Sequence, residues 1–173
     1  MSSSNFAIAS EPRVPAIELS SMTGHLIRRC QQISVAIFLD EFQHTHLTPV
    51  QFSALVTIAK HPGLDQSALV NRIAVDRSTI GAILRALEER RLIRRVTPQH
   101  NQRVKQLHIL PAGEELLRET PEAGARADAR ILAPLSSSER EIFMRLMARL
   151  VNGNNEFSRA PVRPSRAEDA HAA

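Results

Sequence analysis

Three consecutive helix starts constrain this chain more than any other feature, because they share one local chemistry and crowd together. In Leu47-Thr48-Pro49-Val50-Gln51-Phe52, Thr48 is placed as an N-cap and Pro49 opens the first turn. Gln51 can reach back as in a capping box, and Leu47 can staple to Phe52. Asp65 repeats the pattern as a cap, with Leu64 meeting Leu69, and Asp76 repeats it again, with Val75 meeting Ile80. The second and third of these helices are short and only a few residues apart. Two helices joined by so tight a turn read as a helix-turn-helix.

The flanks complete a fold class. After Arg91, two β-rich stretches, Leu92 to Thr97 and Arg103 to Leu110, bracket the polar turn Pro98-Gln99-His100-Asn101-Gln102, a hairpin with a basic tip. Upstream, Leu19, Met22, Leu26, Ile27, Cys30, Ile33, Ile37, Phe38 and Phe42 recur at three and four, the period of one long amphipathic helix. Downstream, a helix beginning near Pro111 carries Leu116, Leu117, Ala127, Ile131 and Leu132, and Pro121 should kink or interrupt it. A capping box at Ser138-Glu139-Arg140-Glu141 opens a last helix with Ile142, Phe143, Leu146 and Leu150 on one face. The expected architecture is mainly α with a small β-hairpin wing: a winged helix-turn-helix core flanked by long helices. Residues 1–18 and 158–173 lack apolar periodicity and are expected to be a disordered arm and tail around one domain over 19–157.

Composition removes whole function classes. The chain has no apolar run of about 18 residues to span a membrane and no basic-then-apolar start typical of an export signal, so a cytoplasmic protein is expected. One cysteine among 173 residues leaves no internal disulfide and no Cys-based zinc site. Only six glycines occur, none in a phosphate-binding loop, and no nucleophile–base pair stands out, so an enzyme is not expected. Net charge is +4, but residues 72–105 hold nine basic residues against three acidic ones, while the rest of the chain is slightly acidic. A solvated face is the plain reading of that run; a polyanion partner is the sharper one.

The blocks LTPVQFSALVTIAKHPGLDQSALVNRIAVDRSTIGAILRALEERRLIRR, QRVKQLHILPAGEELL and LAPLSSSEREIFMRLMARL fall in one order and spacing. In them the chain resembles the MarR family of bacterial transcriptional regulators over roughly residues 22–151. The resemblance implies a homodimer built from the first and last helices (about 19–46 and 111–152), with a DNA-binding core at about 47–110 that meets a pseudo-palindromic operator. It also implies a small effector bound between those parts, among the first, second and fifth helices, which releases the DNA. Two departures concern the backbone: Ala74 and Arg91 stand where the family commonly has Gly. A left-handed conformation at either carries a penalty of about 1 kcal/mol. A third lies in the wing, where Asn101-Gln102-Arg103 replaces the family's frequent Asp-x-Arg.

On a helical wheel from Asp76 to Arg90, Ile80, Ile83, Leu84 and Leu87 face inward, while Ser78, Gly81, Ala82, Arg85 and Glu89 face outward with Arg77 on the flank. Small residues beside Arg and Ser permit close approach to a major groove, where Arg85 can read guanine. Ser78 and Thr79 suit phosphate anchoring. Arg103 at the hairpin tip fits a narrow minor groove, with Arg94, Arg95 and Lys105 as backbone contacts. Half-sites are expected about 10 bp apart, and steric occlusion makes a repressor the simpler mechanism.

For the effector, the expectation is a small aromatic carboxylate, such as a hydroxylated benzoate or nicotinate, with His25, Arg28 and Arg29 as its ion-pairing partners. The alternative is that both arginines are surface residues flanking the apolar stripe. Cys30 falls within that stripe and is expected to be a buried structural residue rather than an oxidant sensor. His44, His46 and His61 lack the spacing and acidic company of a metal site, and no cofactor is expected. Two rivals remain: a redox-sensing regulator through Cys30, and a winged helix that binds only protein.

Overall fold

Each of the three helix starts closes, though not by the same device. The computed structural model describes residues 18–99 and 104–163. Helix α2 (Pro49–Lys60) opens on the full capping box: Gln51 N–H donates to Thr48 Oγ1 (3.3 Å) and Thr48 N–H to Gln51 Oε1 (2.9 Å). Helix α3 (Gln66–Ile73) is capped by Asp65, which accepts from Ala68 N–H at 2.7 Å. Helix α4 (Arg77–Glu89) departs from expectation, since Asp76 makes no side-chain capping bond and lies instead 4.0 Å from Arg159. The apolar faces of these helices converge on Leu55, Ile58, Leu69, Ile80, Leu84 and Leu87, all fully buried. Each such side chain contributes about 1.5–3 kcal/mol through burial.

The wing is a two-stranded antiparallel sheet of β1 (Ile93–Val96) and β2 (Gln106–Ile109), with Ile93 opposite Ile109 and Arg95 opposite Leu107. It is shorter than its β-rich stretches because Val104, Lys105 and Leu110 fall outside the ladder. The other edge of β2 is also bonded: Gly63 N–H donates to Leu107 O and Leu107 N–H to Leu64 O, both at 2.9 Å. The wing root is thus held by the helix α2–α3 connection as well as by its own hairpin. Ala74 ends α3 at φ 52° and Arg91 follows α4 at φ 55°, both left-handed, so each carries the strain that glycine would relieve.

Pro121 interrupts the following segment outright, giving α5 (Pro111–Arg118) and α6 (Pro121–Ile131). Gly113 is needed for the approach of α5 to the wing, because a Cβ there would come within 2.4 Å of Leu92 O. Helix α7 (Ser137–Gly153) opens on a capping box formed by Ser136 and Glu139, two residues earlier than the Ser138 expected to begin it. The first long helix is also divided. A 3-10 turn (Leu19–Ser21) breaks at Met22 before α1 (Thr23–Glu41).

Helix α1 packs its C-terminal half on α6, around Phe42, Ala123 and Ala127, with Ile37 and Phe38 beside them. Arg126 and Arg130 of α6 clamp that contact by pairing with Glu41, both at 2.7 Å, and Arg130 also pairs with Asp40. The two guanidiniums hold the Glu41 carboxyl below the usual carboxylate range. The rest of the α1 stripe is uncovered: Leu19, Met22, Leu26, Ile27 and Ile33 are exposed, as are Ile142, Leu146 and Leu150 on α7. Cys30, expected to be buried, is exposed with them, because none of the described residues covers that face. Residues 158–163, expected as the start of a disordered tail, instead fold back after a 3-10 turn (Asn155–Phe157), and Arg163 N–H donates to Asn71 O at 2.9 Å. No helix of the described residues is long and apolar enough to cross a membrane.

Candidate nucleic-acid interface

Helix α4 divides as its hydrophobic periodicity dictates. Ile80, Ile83, Leu84 and Leu87 are buried against the core. Arg77, Ser78, Thr79, Ala82, Arg85 and Glu89 are exposed, and Gly81 is half-buried with nothing within 4 Å of where a Cβ would stand. Neither Arg77 nor Arg85 pairs with an acid among the described residues, so both charges are available to a ligand. A polyanion meeting this face finds two guanidiniums on a surface otherwise built from small side chains. That combination lets a helix enter a groove closely.

The wing adds charge beside it. Arg94 on β1 and Lys105 just before β2 are exposed; Arg103 lies outside the described residues. Arg95 behaves differently from its neighbour, because successive strand residues point to opposite faces. Half-buried, it donates from Nε to Glu88 Oε2 at 2.9 Å and makes a second contact with the same oxygen through Nη2. Its charge is therefore committed to a strut between α4 and β1, a correction to its reading as a phosphate contact. The same pairing holds the Glu88 carboxyl below the usual range.

Arg90 is the positioning residue that the sequence did not disclose. It donates to Thr45 O at 2.7 Å and His46 O at 3.1 Å, tying the end of α4 to the turn after α1. Its partners are backbone carbonyls more than forty residues away, so its only sequence signal was membership of the basic run. Thr45 is itself buried, donating to Phe42 O at 2.7 Å and accepting from Leu47 N–H at 3.2 Å.

Behind that turn lies a cavity of about 330 Å³ between α1, α2 and α6. Its walls are largely aromatic: Phe38 stacks on Phe42 at 4.0 Å between centroids, and Phe52 meets Phe42 edge-on at 5.0 Å. Ser34 and Asp128 supply polar groups at its rim. Such a space accepts a flat apolar ring. His25, Arg28 and Arg29 do not line it. They sit about 9 Å further toward the N-terminus of α1, at 1.5 Å per residue, where Arg28 donates to Gln32 Oε1 at 3.0 Å and lies 3.5 Å from His25 Nδ1. Among the described residues no three His, Cys, Asp or Glu side chains group as metal ligands.

Comparison with known proteins agrees with this architecture. The MarR family model matches residues 47–105, from the start of α2 to the wing. A Thauera aromatica protein assigned to transcriptional regulation of the hcr operon is 36% identical over 140 residues, covering 79% of this chain and 84% of its own length. The PcaV transcriptional regulator of Streptomyces coelicolor, solved with its natural ligand, is 29% identical with a TM-score of 0.71, over 80% of this chain and 98% of that one. The transcriptional repressor CouR, solved on a 23-mer DNA duplex, is 27% identical with a TM-score of 0.72, over 82% and 99%. A divided α4, a basic wing root and a phenylalanine-walled cavity thus stand on a fold shared with regulators. The chain belongs to the MarR family of transcriptional regulators.

Proposed function

We propose that the chain is a homodimeric, sequence-specific repressor that releases its operator when a small aromatic carboxylate binds. The outward face of α4 carries this reading: Arg77 and Arg85 are exposed among Ser78, Gly81 and Ala82, with Arg94 and Lys105 alongside. Ser78 and Thr79 anchor phosphates, Arg85 reads a base edge, and Arg103 extends the contact from the wing tip. A solved relative bound to a DNA duplex supports the partner. The uncovered apolar faces of α1 and α7 support the dimer, since this much exposed apolar surface favours a second copy.

Phe38, Phe42 and Phe52 support the ring-binding part of the proposal, and a relative solved with its natural ligand supports a small-molecule effector. The carboxylate needs more than this cavity offers. Among the described residues no Lys or Arg lines it, and Asp128 opposes an anion. His25, Arg28 and Arg29 lie too far along α1 to meet the carboxylate of a small acid whose ring fills this cavity, so their part in acid binding requires the second copy.

Operator binding followed by fluorescence anisotropy tests the reading. Arg85→Ala is expected to weaken specific binding by roughly 10- to 100-fold and relax the preference at one base pair. Equal affinity for operator and random DNA in the wild type would refute it. A panel of hydroxybenzoates and hydroxynicotinates is expected to raise the melting temperature through one member at least. A second reading, oxidant control through Cys30, has to contend with the proposed dimer, which covers the stripe in which this thiol lies. It is excluded if peroxide leaves operator binding unchanged.

A further inference from the structure

The segment after α7 is built onto the helix-turn-helix. Asn155 brackets it, accepting from Val162 N–H at 2.9 Å and donating to Val162 O at 3.0 Å. Arg163 N–H then donates to Asn71 O near the end of α3, a carbonyl that helix termini leave without an internal partner. Residues 158–163 so become one wall of a cavity of about 500 Å³, with Arg159 and Arg163 on that side and Arg77 and Ser78 of the first turn of α4 on the other.

We propose that residues 158–163 are part of the DNA interface, with Arg159 and Arg163 contacting phosphates at the edge of the groove that α4 enters. The proposal rests on the DNA-binding reading above and extends it to a segment outside the winged helix. In a helix-turn-helix the second helix presents its first residues to base edges, while the first helix crosses the backbone. A segment tied to the end of α3 and facing the start of α4 therefore stands at the rim of the same groove.

Charge decides between contact and obstruction. Residues 158–163 carry two arginines and no acid, so a polyanion attracts them, whereas a blocking segment that mimics DNA would be acidic. The Arg159 side chain is 91% exposed, and its acidic partner among the described residues, Asp76, is 4.0 Å away. An exposed pair of that length is weak and yields readily to a phosphate.

The test uses the full chain and an operator duplex that the wild type has selected from a random-sequence pool, titrated by anisotropy between 50 and 200 mM salt. Each lost phosphate contact lowers the magnitude of the log–log salt slope by about 0.9. The double variant R159Q/R163Q removes two contacts from each protomer of the dimer, so it is expected to lower the slope by about 4 and to weaken binding by roughly 100- to 1,000-fold near 0.15 M salt. R159K/R163K, which keeps both charges, is expected to retain the slope, and a chain ending after Phe157 is expected to behave as the Gln variant does. Unchanged binding by the Gln variant overturns the proposal, as does tighter binding or weaker binding at an unaltered slope. Where the wild type binds with a steep salt slope and the Gln variant matches it, the inference alone falls. Where the wild type shows no such slope, the DNA reading falls with it.

Discussion

Gly81 sits in mid-α4 with open space where a Cβ would project, a position at which folding alone favours alanine by about 1 kcal/mol. Close approach of DNA to this face, as proposed above, would favour glycine there over alanine. Gly81→Ala is therefore expected to raise the melting temperature and to weaken operator binding; a rise with unaltered affinity would remove Gly81 from the interface. Ala74 and Arg91 are the reverse case, since their left-handed backbones favour glycine and carry none. Both were legible as departures through the family resemblance, which implies glycine at these two positions. Arg95 was not: a run of arginines looks uniform until strand alternation sends one outward and its neighbour onto Glu88.

Glu88 and Arg95 bridge helix α4 and the wing, and Arg90 ties the same helix to the turn after α1. The carboxyls of Glu88 and Glu41 are depressed by their arginine partners. Their stabilisation is present above the unfolded carboxyl value near 4.5 and is lost as pH falls through the lower folded value. Melting between pH 6 and 3 is expected to show Glu88→Gln with a flatter acid limb than wild type. An equally steep limb in the variant would mean that this pair contributes nothing, as partly exposed pairs screened by salt sometimes do. The route from Phe42 through Thr45 to Arg90 gives the aromatic cavity a physical connection to α4. Arg90→Ala is expected to reduce the effect of a cavity ligand on operator affinity while leaving ligand binding itself intact, measured by titrating both in the same assay.

For the whole molecule, the exposed apolar stripes of α1 and α7 are the surfaces through which we propose the dimer forms. Among the described residues α7 buries no side chain within its own chain, so its helical period is satisfied only by another surface. Light scattering is expected to give twice the chain mass. Leu146→Glu, placing a charge on that stripe, is expected to yield monomer that has lost most operator affinity; a Leu146→Glu dimer with full affinity would place the interface elsewhere.

Local order was determined by the sequence itself: caps at Thr48 and Asp65, the inward face of α4, the break at Pro121 and the paired strands of the wing. These follow from neighbours within a few residues, where periodicity and hydrogen-bonding geometry leave little choice. Tertiary structure alone decided the partners of distant groups. Asp76 faces Arg159 rather than capping α4, Arg90 finds two carbonyls after α1, three phenylalanines from two helices close one cavity, and residues 158–163 return to α3. Each of those contacts joins segments separated by many residues, and no local pattern encodes which one a side chain will meet.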